Sequence, residues 1–332
     1  MTSLSVVMPM LDAAEYLPRV LPPLAAALKS HRLLEVIAVD DGCRDDSVAQ
    51  CEAAGVRVVP SGGRLGPAGA RNAGARIAKG DALLFVDADV VIHGDVPARV
   101  AALFDLHPDV VALFGAYDDR PPAPGVVSRY RNLLHYHVHL VNEGDASTFW
   151  AGLGAVRRAA FLASGGFDDK RYPVSSIEDV ELGVRLKAAG GRILLDPQIQ
   201  GTHLKRWTFA SMVQTDVLRR ALPWGRLLQS SPKAAAVLNV ALAERLRALI
   251  ALALCADLVV GLIEERWLVA AAVLLVVAAI ASAPFYRRVA RQAGVATAIA
   301  ALFLHQLYYV YSAATYAWCV VERRLGLAPT EA

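Results

Sequence analysis

Leu83–Asp95 reads LLFVDADVVIHGD. Four apolar residues run without a break into Asp87 and Asp89, spaced D-x-D, and the chain then leaves through His93-Gly94. Such a run reads as a strand buried on both faces. Two carboxylates at its end are costly so close together unless something positive sits between them. A hard divalent ion, Mg²⁺ or Mn²⁺, answers that charge. It accepts carboxylate oxygens and leaves positions open for phosphate oxygens.

The pattern repeats on either side. Leu4–Met8, Leu34–Val39, Val56–Val59 and Ala82–Val86 are short apolar runs, and Asp45–Ala54 and Ala68–Ala78 are helix-like stretches among them. That alternation implies an α/β fold, a mostly parallel sheet with helices on both faces. Ligands of such sheets bind at the carboxyl ends of the strands. Pro9-Met10-Leu11-Asp12, Asp40-Asp41-Gly42 and Asp87-Ala88-Asp89 all fall there. The plain reading of any one of them is a helix cap, as for Asp45 and Asp46. Together they mark a binding edge.

Beyond a helical Val126–Asn142, Phe149–Val156 reads as a strand, Ala159–Ser164 and a Gly165-Gly166-Phe167-Asp168 turn follow, and Ile177–Ala189 reads as a helix and Arg192–Leu195 as a strand. Trp207–Leu228 then mixes aromatic residues with Arg219, Arg220 and Arg226, as a helix in the headgroup plane would; an ordinary packed helix is the alternative. Leu246–Ile263, Trp267–Tyr286 and Val295–Val321 read as three transmembrane helices. The expected organisation is a catalytic domain over 1–206, an interfacial region over 207–240 and a three-span region over 241–332. Arg245, Arg247, Arg287, Arg288 and Arg291 put their sides of the spans in the cytoplasm, with the C-terminal tail outside. Asp257 would be an intramembrane carboxylate, with a function or as a polar contact to a neighbouring helix.

The 332 residues are 55% hydrophobic, and the formal charge of +3 gives no reason to expect a nucleic-acid partner. The four cysteines form no C-x-x-C and fit a reducing compartment. No signal peptide opens the chain, so the first domain is expected in the cytoplasm, at the cell (inner) membrane.

The ordered blocks VVMPMLDAAEYL, AVDDGCRDDS, GPAGARNAGARIAKGDALLFVDAD, WAGLGAVRRAAFLASGGFDD and IEDVELGVRLKAAG resemble the family 2 glycosyltransferases, with their A-type nucleotide-sugar fold, from Val6 to about Trp207. Leu11-Asp12 stands in place of the usual Tyr-Asn, and Cys43 in place of a serine.

The resemblance implies roles. Pro9, Asp12 and Asp40 would line the nucleotide site, with Asp41 supporting the turn. Arg71 would hold the base or diphosphate, unless it is an ordinary surface arginine. Asp87 would reach ribose or metal, and Asp89 would be the direct metal ligand. Asp179 would be the general base, oriented by Glu178, in one inverting displacement; Glu181 would be helix surface. In His203-x-x-Arg206-Trp207 the family more often has glutamine or arginine first. His203 would touch metal or diphosphate, Arg206 the diphosphate, and Trp207 and Trp150 the acceptor. His135-Tyr136-His137-Val138-His139 puts only His135 and His139 on one helical face, which is thin support for zinc and suits an acceptor-facing helix.

The expected reaction is transfer of a single sugar from a UDP- or GDP-sugar donor to a lipid acceptor in the bilayer, with a homo-oligomer left open. A processive polysaccharide synthase is the alternative within the same chemistry. A catalytically inactive membrane scaffold and a dinucleotide-dependent oxidoreductase are the alternatives outside it. The first strand lacks the G-x-G-x-x-G an oxidoreductase of that type needs.

Overall fold

The apolar runs that open the chain form β1 (Leu4–Met10), β2 (Glu35–Asp40), β3 (Arg57–Pro60) and β4 (Ala82–Val86), parallel and in the order β3-β2-β1-β4. Their side chains alternate between two cores, as a pleated strand requires. Val6, Met8, Leu84 and Val86 face one; Val7, Leu83 and Phe85 face the other. Helices α1 (Leu17–Lys29), α2 (Ser47–Ala53), α3 (Gly66–Ile77) and α4 (Val96–Leu106) follow the strands. Leu17, Val20, Leu24, Cys51 and Phe104 close the first core, while Ala68, Ala70 and Ala75 of α3 close the second. The alanine-rich face of α3 lets it lie close: a Cβ on Gly74 would come within 2.5 Å of Val7.

The sheet is mixed rather than mostly parallel. β5 (Val90–Ile92), β6 (Val110–Tyr117), β7 (Gly144–Asp145), β8 (Leu153–Arg157) and β9 (Arg192–His203) complete it, in the order β4-β8-β6-β9-β5 with β7 also on β9. β8 runs antiparallel to β4 and β6, and β5 and β7 antiparallel to β9. Asp87–Asp89 are too few residues for the crossover that a parallel neighbour of β4 would need. The chain therefore carries β5 to the far edge. The strand expected over Phe149–Val156 begins only at Leu153, and Trp150–Gly152 form a turn. The computed structural model describes residues 1–231, 234 and 241–327.

Contacts divide the chain into two units, Met1–Pro122 with His135–Lys205 and Ala123–Leu134 with Arg206–Ala332. Helix α5 (Val126–Val141) contributes to both; α6 (Arg158–Ala163) and α7 (Glu178–Ala188) belong to the first. In the second unit a helix over Phe209–Gln214, capped by the Thr208 hydroxyl, runs through a π-helical Thr215–Ala221 into Leu222–Ser230. Pro223 has no amide hydrogen and crowds the preceding turn, which explains the widened winding. Tyr130, Leu133, Trp207, Met212, Phe285 and Val289 form this unit's core. Of the interfacial region expected over 207–240, residues 232–233 and 235–240 lie outside the described residues, as does the tail from 328.

The expectation of three spans is corrected. Among the described residues one helix, Val295–Arg324, is long and apolar enough to cross a membrane by itself. The first expected span lies in Leu242–Gly261, whose charges at Glu244, Arg245, Arg247 and Asp257 break its apolar run. The second ends at Ala281 after 16 residues, about 24 Å at 1.5 Å per residue and short of a ~30 Å hydrocarbon core. The chain then bends by 77° into Ala283–Ala293, and the pair counts at most as one broken span. Pro284, at the start of the second piece, prevents a straight continuation.

Candidate active site

The acidic strand ends gather where the parallel strands finish. Asp40, last in β2, accepts hydrogen bonds from the amides of Gly42 (3.0 Å) and Cys43 (2.7 Å). Burial pushes its carboxyl up, but those bonds outweigh it and hold Asp40 below its ordinary range. Asp41 is buried and turned the other way. It accepts from the Ser61 hydroxyl and from the amides of Leu65 and Gly66, and so fixes the entry to α3. Asp12 sits beyond Pro9 and Met10 with φ +50°, a left-handed conformation unusual for a residue other than glycine. Its carboxylate accepts from the Arg44 amide at 2.7 Å. Asp12 is exposed and Asp40 half-buried at the ends of adjacent strands.

Asp87 continues the alternation of β4 toward the side that Phe85 faces, where α3 and α7 lie. There Arg71 of α3 donates to Asp87 at 2.6 Å and to Glu178 at 3.1 Å. The Arg71 side chain is only 6% exposed. Each terminal nitrogen makes one of these bonds, and at that burial Arg71 is not an ordinary surface arginine. It ties the D-x-D strand end to the Glu178-Asp179 helix start, the two charges keeping it protonated against the cost of burial. Burial pushes Asp87 up; Arg71 opposes this, while Asp89 and Glu178 add to it.

The turn Trp150–Gly152 joins the same two elements through its backbone. The Ala151 amide donates to Asp179 at 3.0 Å, and the Asp87 amide donates to the Gly152 carbonyl at 3.1 Å. Burial first, then the charge of Glu178, pushes Asp179 up to about 7, against the Ala151 and Val180 amides and Arg71. A carboxyl titrating there changes hands with a proton near neutrality, the property a general base needs.

Asp89 faces a different partner. Its Oδ2 lies 3.4 Å from Nε2 of His203, and its carbonyl accepts from the Leu204 amide. Burial pushes its carboxyl up, but His203 and then Lys205 outweigh it, and Asp89 is held below the ordinary range. The ionised carboxylate suits Mn²⁺ or Mg²⁺, which take carboxylate oxygens and fill other positions from phosphate and water, and the imidazole beside it adds a nitrogen that favours Mn²⁺ over the harder Mg²⁺. Among the described residues the one group of three potential ligands is elsewhere: Asp12, Cys43 and Asp45. It fits poorly. Burial and the Asp40 hydrogen bond push the Cys43 thiol up to about 11, so it stays protonated, and both carboxylates already accept backbone amides.

Tyr117 and Asp118, at the end of β6, escaped sequence reasoning. Tyr117 stacks on His203 with ring centroids 4.2 Å apart and planes 3° from parallel. Asp118 takes His93 at 3.2 Å and the Thr202 hydroxyl. The signal was the apolar run Val110–Tyr117 ending in Tyr-Asp-Asp, the same pattern that marked β4. Trp150 is half-buried, its ring 4.6 Å from His135, 5.1 Å from His139 and 4.8 Å from Tyr117. His139 bonds the Gly115 carbonyl at 2.8 Å. Glu181, expected as helix surface, pairs with Arg185, which also holds the carbonyls of Ser164 and Gly166. Arg206 and Trp207 belong to the second unit. Arg206 is exposed. Trp207 is 8% exposed in that unit's core, its backbone pinned to Ser128 and Arg131 over its ring, so it is a packing residue and not an open wall.

Residues 5–162 match the family model described as Glycosyl transferase family 2. The chain is also similar to solved structures. One is the mannosyltransferase from Pyrobaculum calidifontis in complex with GDP-Man and Mn²⁺, 18% identical with a TM-score of 0.56, covering 96% of this chain and 87% of that one. Another is glucosyl-3-phosphoglycerate synthase from Mycobacterium tuberculosis. Its complex with phosphoglyceric acid is 18% identical, TM-score 0.51, covering 69% of this chain and 79% of that one. Its complex with Mn²⁺, UDP and glucosyl-3-phosphoglycerate is 19% identical, TM-score 0.50, with the same coverage of 69% and 79%. At these identities the likeness is one of fold. No curated protein matches the chain.

Proposed function

This chain is a glycosyltransferase carrying a family 2 domain over residues 5–162, and on that premise we propose that it moves one sugar from a UDP- or GDP-sugar to a lipid acceptor at the cytoplasmic face of a membrane, with inversion. The observation that carries the reading is the Arg71 bridge. It links Asp87, at the end of the D-x-D strand, to Glu178, beside Asp179 at the start of α7. Donor chemistry and acceptor chemistry thus meet on one rigid support.

Pro9, Asp12 and Asp40 take the nucleoside at the strand ends, and Asp41 holds the loop behind them. Asp89 and His203, with Asp87 beside them, hold a divalent cation. The cation, when bound, offsets the negative charge that builds on the departing diphosphate. Asp179 accepts the acceptor hydroxyl proton as that oxygen bonds to the anomeric carbon. The bond from that carbon to the diphosphate oxygen breaks, and its electron pair leaves with the nucleoside diphosphate. One displacement inverts the centre, and no second carboxylate nucleophile is needed. Trp150 and Arg206 are proposed for the acceptor and diphosphate. A domain ending near Arg206 and a membrane part beyond it remain the proposed organisation.

The membrane reading is supported by the helix Val295–Arg324 and by the second unit's burial pattern. Val269, Val273, Val276, Ile280, Ile299, Phe303 and Trp318 are exposed, while Asp216, His305, Gln306 and Glu322 are buried. Polar groups inside and large apolar groups outside suit lipid as the surrounding solvent. Arg287, Arg288 and Arg291, just before that helix, support a cytoplasmic start for it. An acceptor that stays in the bilayer explains such an anchor.

The test is release of nucleoside diphosphate from a panel of UDP- and GDP-sugars by the detergent-purified chain, with Mn²⁺, Mg²⁺ or chelator, and with membrane lipid extract as acceptor. Metal-dependent release that rises with lipid and disappears in Asp179→Ala is expected. Release that is indifferent to lipid sinks the acceptor assignment, and no release with any donor sinks the whole reading.

A further inference from the structure

His203 lies on β9 between two strands that each deliver one of its neighbours. On one side Val90 of β5 pairs with His203, directly after Asp89. On the other, Tyr117 of β6 pairs with Gly201. Backbone register therefore brings Asp89, one position before the partner of His203, and Tyr117, opposite Gly201 two positions earlier on β9, close to His203. The torsion that sets the plane of a histidine ring is broad, because it joins a tetrahedral to a planar carbon. Backbone register alone leaves that plane undetermined. The Tyr117 ring supplies what is missing: it lies parallel to the imidazole to within 3° at 4.2 Å. It is itself held, with Trp150 meeting it edge-on at 89° and His135 at 4.5 Å, and it is 8% exposed.

We infer that Tyr117 is the positioning residue for His203, its ring setting the imidazole plane so that Nε2 stays directed to the side of Asp89 where the cation binds. This rests on the reading of Asp89 and His203 as the pair that holds the metal. Tyr117 touches neither metal nor substrate; it acts through His203. Face-to-face contact does the orienting, so the phenolic hydroxyl is dispensable and the ring is not.

The experiment is Mn²⁺ binding to the full chain in detergent, without donor, followed by the electron paramagnetic resonance of free Mn²⁺. Tyr117→Phe is expected to bind within about two-fold of wild type, and Tyr117→Leu roughly ten-fold more weakly, the usual scale for residues that orient a ligand. In a His203→Ala background, Tyr117→Leu has no further effect on Mn²⁺ affinity, whereas a merely structural Tyr117 lowers affinity equally in both backgrounds. Equal losses, or no loss in Tyr117→Leu while His203→Ala does lose affinity, overturn the role of Tyr117 alone. Wild-type protein that takes up no Mn²⁺, or His203→Ala that binds as wild type, overturns the assignment of His203 and this inference with it. If Tyr117→Leu does not yield folded protein, Tyr117→Met is read in the same cycle, its unbranched chain filling the space without a ring.

Discussion

Both units of this chain bury charge, and they do so in opposite surroundings. In the first, Arg71, Glu178 and Asp87 meet at the ends of strands whose apolar side chains point inward to two cores. In the second, Arg131 meets Asp216 at 2.6 Å, and the Tyr311 hydroxyl donates to the same carboxylate, inside helices whose large apolar residues point outward. A buried ion pair adds little net stability in either setting, since desolvation offsets the attraction. What differs is the outer surface. Apolar-in with charge at the strand ends is the pattern that water imposes, and it leaves the charge available for chemistry. Apolar-out with buried polar contacts is the pattern on which the proposed membrane location rests.

The sharpest break in that comparison comes from the base. Asp179→Asn removes the proton acceptor from the first unit and is expected to lower kcat by about 10²–10⁴-fold with donor KM unchanged. In the wild type, kcat/KM rises with pH through about 7, where Asp179 loses its proton, and the variant lacks that rise. Stability moves the opposite way. Folding raises this carboxyl from 3.8 to about 7, so its contribution is fully present below pH 3.8 and is lost as pH climbs through 7. At pH 8 Asp179→Asn should therefore melt higher than wild type, by at least about 2 °C. A lower melting temperature there counts against the raised carboxyl.

Arg71→Met is next. It leaves the buried Glu178 and the half-buried Asp87 without their cation and should cost about 3 kcal/mol in urea unfolding. Adding Glu178→Gln should recover part of that loss, and no recovery means the bridge is not what holds α3 to α7. In the second unit, Val273→Lys puts a charge on the outward face of Arg266–Ala281 and should disfavour membrane insertion by about 2.5–3.5 kcal/mol, read as a larger carbonate-extractable fraction. Unchanged extraction removes the contrast between the two surfaces. The smallest effect belongs to Glu181→Gln. Gln keeps one oxygen toward Arg185, so unfolding should shift by about 1 kcal/mol or less.

The residues that sequence reasoning read well are those whose chemistry is local. β4 was legible to the residue, because five apolar positions between polar breaks leave one reading, and the acids at its end followed from it. Arg71 was singled out, but its bridge was not legible: nothing in ARNAG reveals that two carboxylates, 16 and 107 positions away, accept from its guanidinium. Tyr117 was missed for the same reason, since stacking on His203 is a fact of register between β6 and β9. Trp207 was read as an acceptor contact from the family resemblance, yet its ring lies under Arg131 and in its own unit's core, which sequence alone does not reveal. The membrane helices were miscounted because hydropathy alone does not see Pro284 turn the chain by 77°.

One earlier detail bears on how such a catalyst can change. In the turn after Phe149, everything that connects donor and base runs through peptide groups: the Ala151 amide to Asp179, the Gly152 carbonyl to Asp87. The Trp150 indole takes no part in either bond, and only the missing Cβ of Gly152 records its presence, since one there would come within 2.5 Å of the ring. Position 150 can therefore be rewritten in the laboratory, with Gly152 left in place, without touching those two hydrogen bonds, provided the new side chain still meets the Tyr117 ring that Trp150 holds edge-on. The proposed selectivity sits in a side chain, and the main chain beneath it helps to hold the reacting carboxylates.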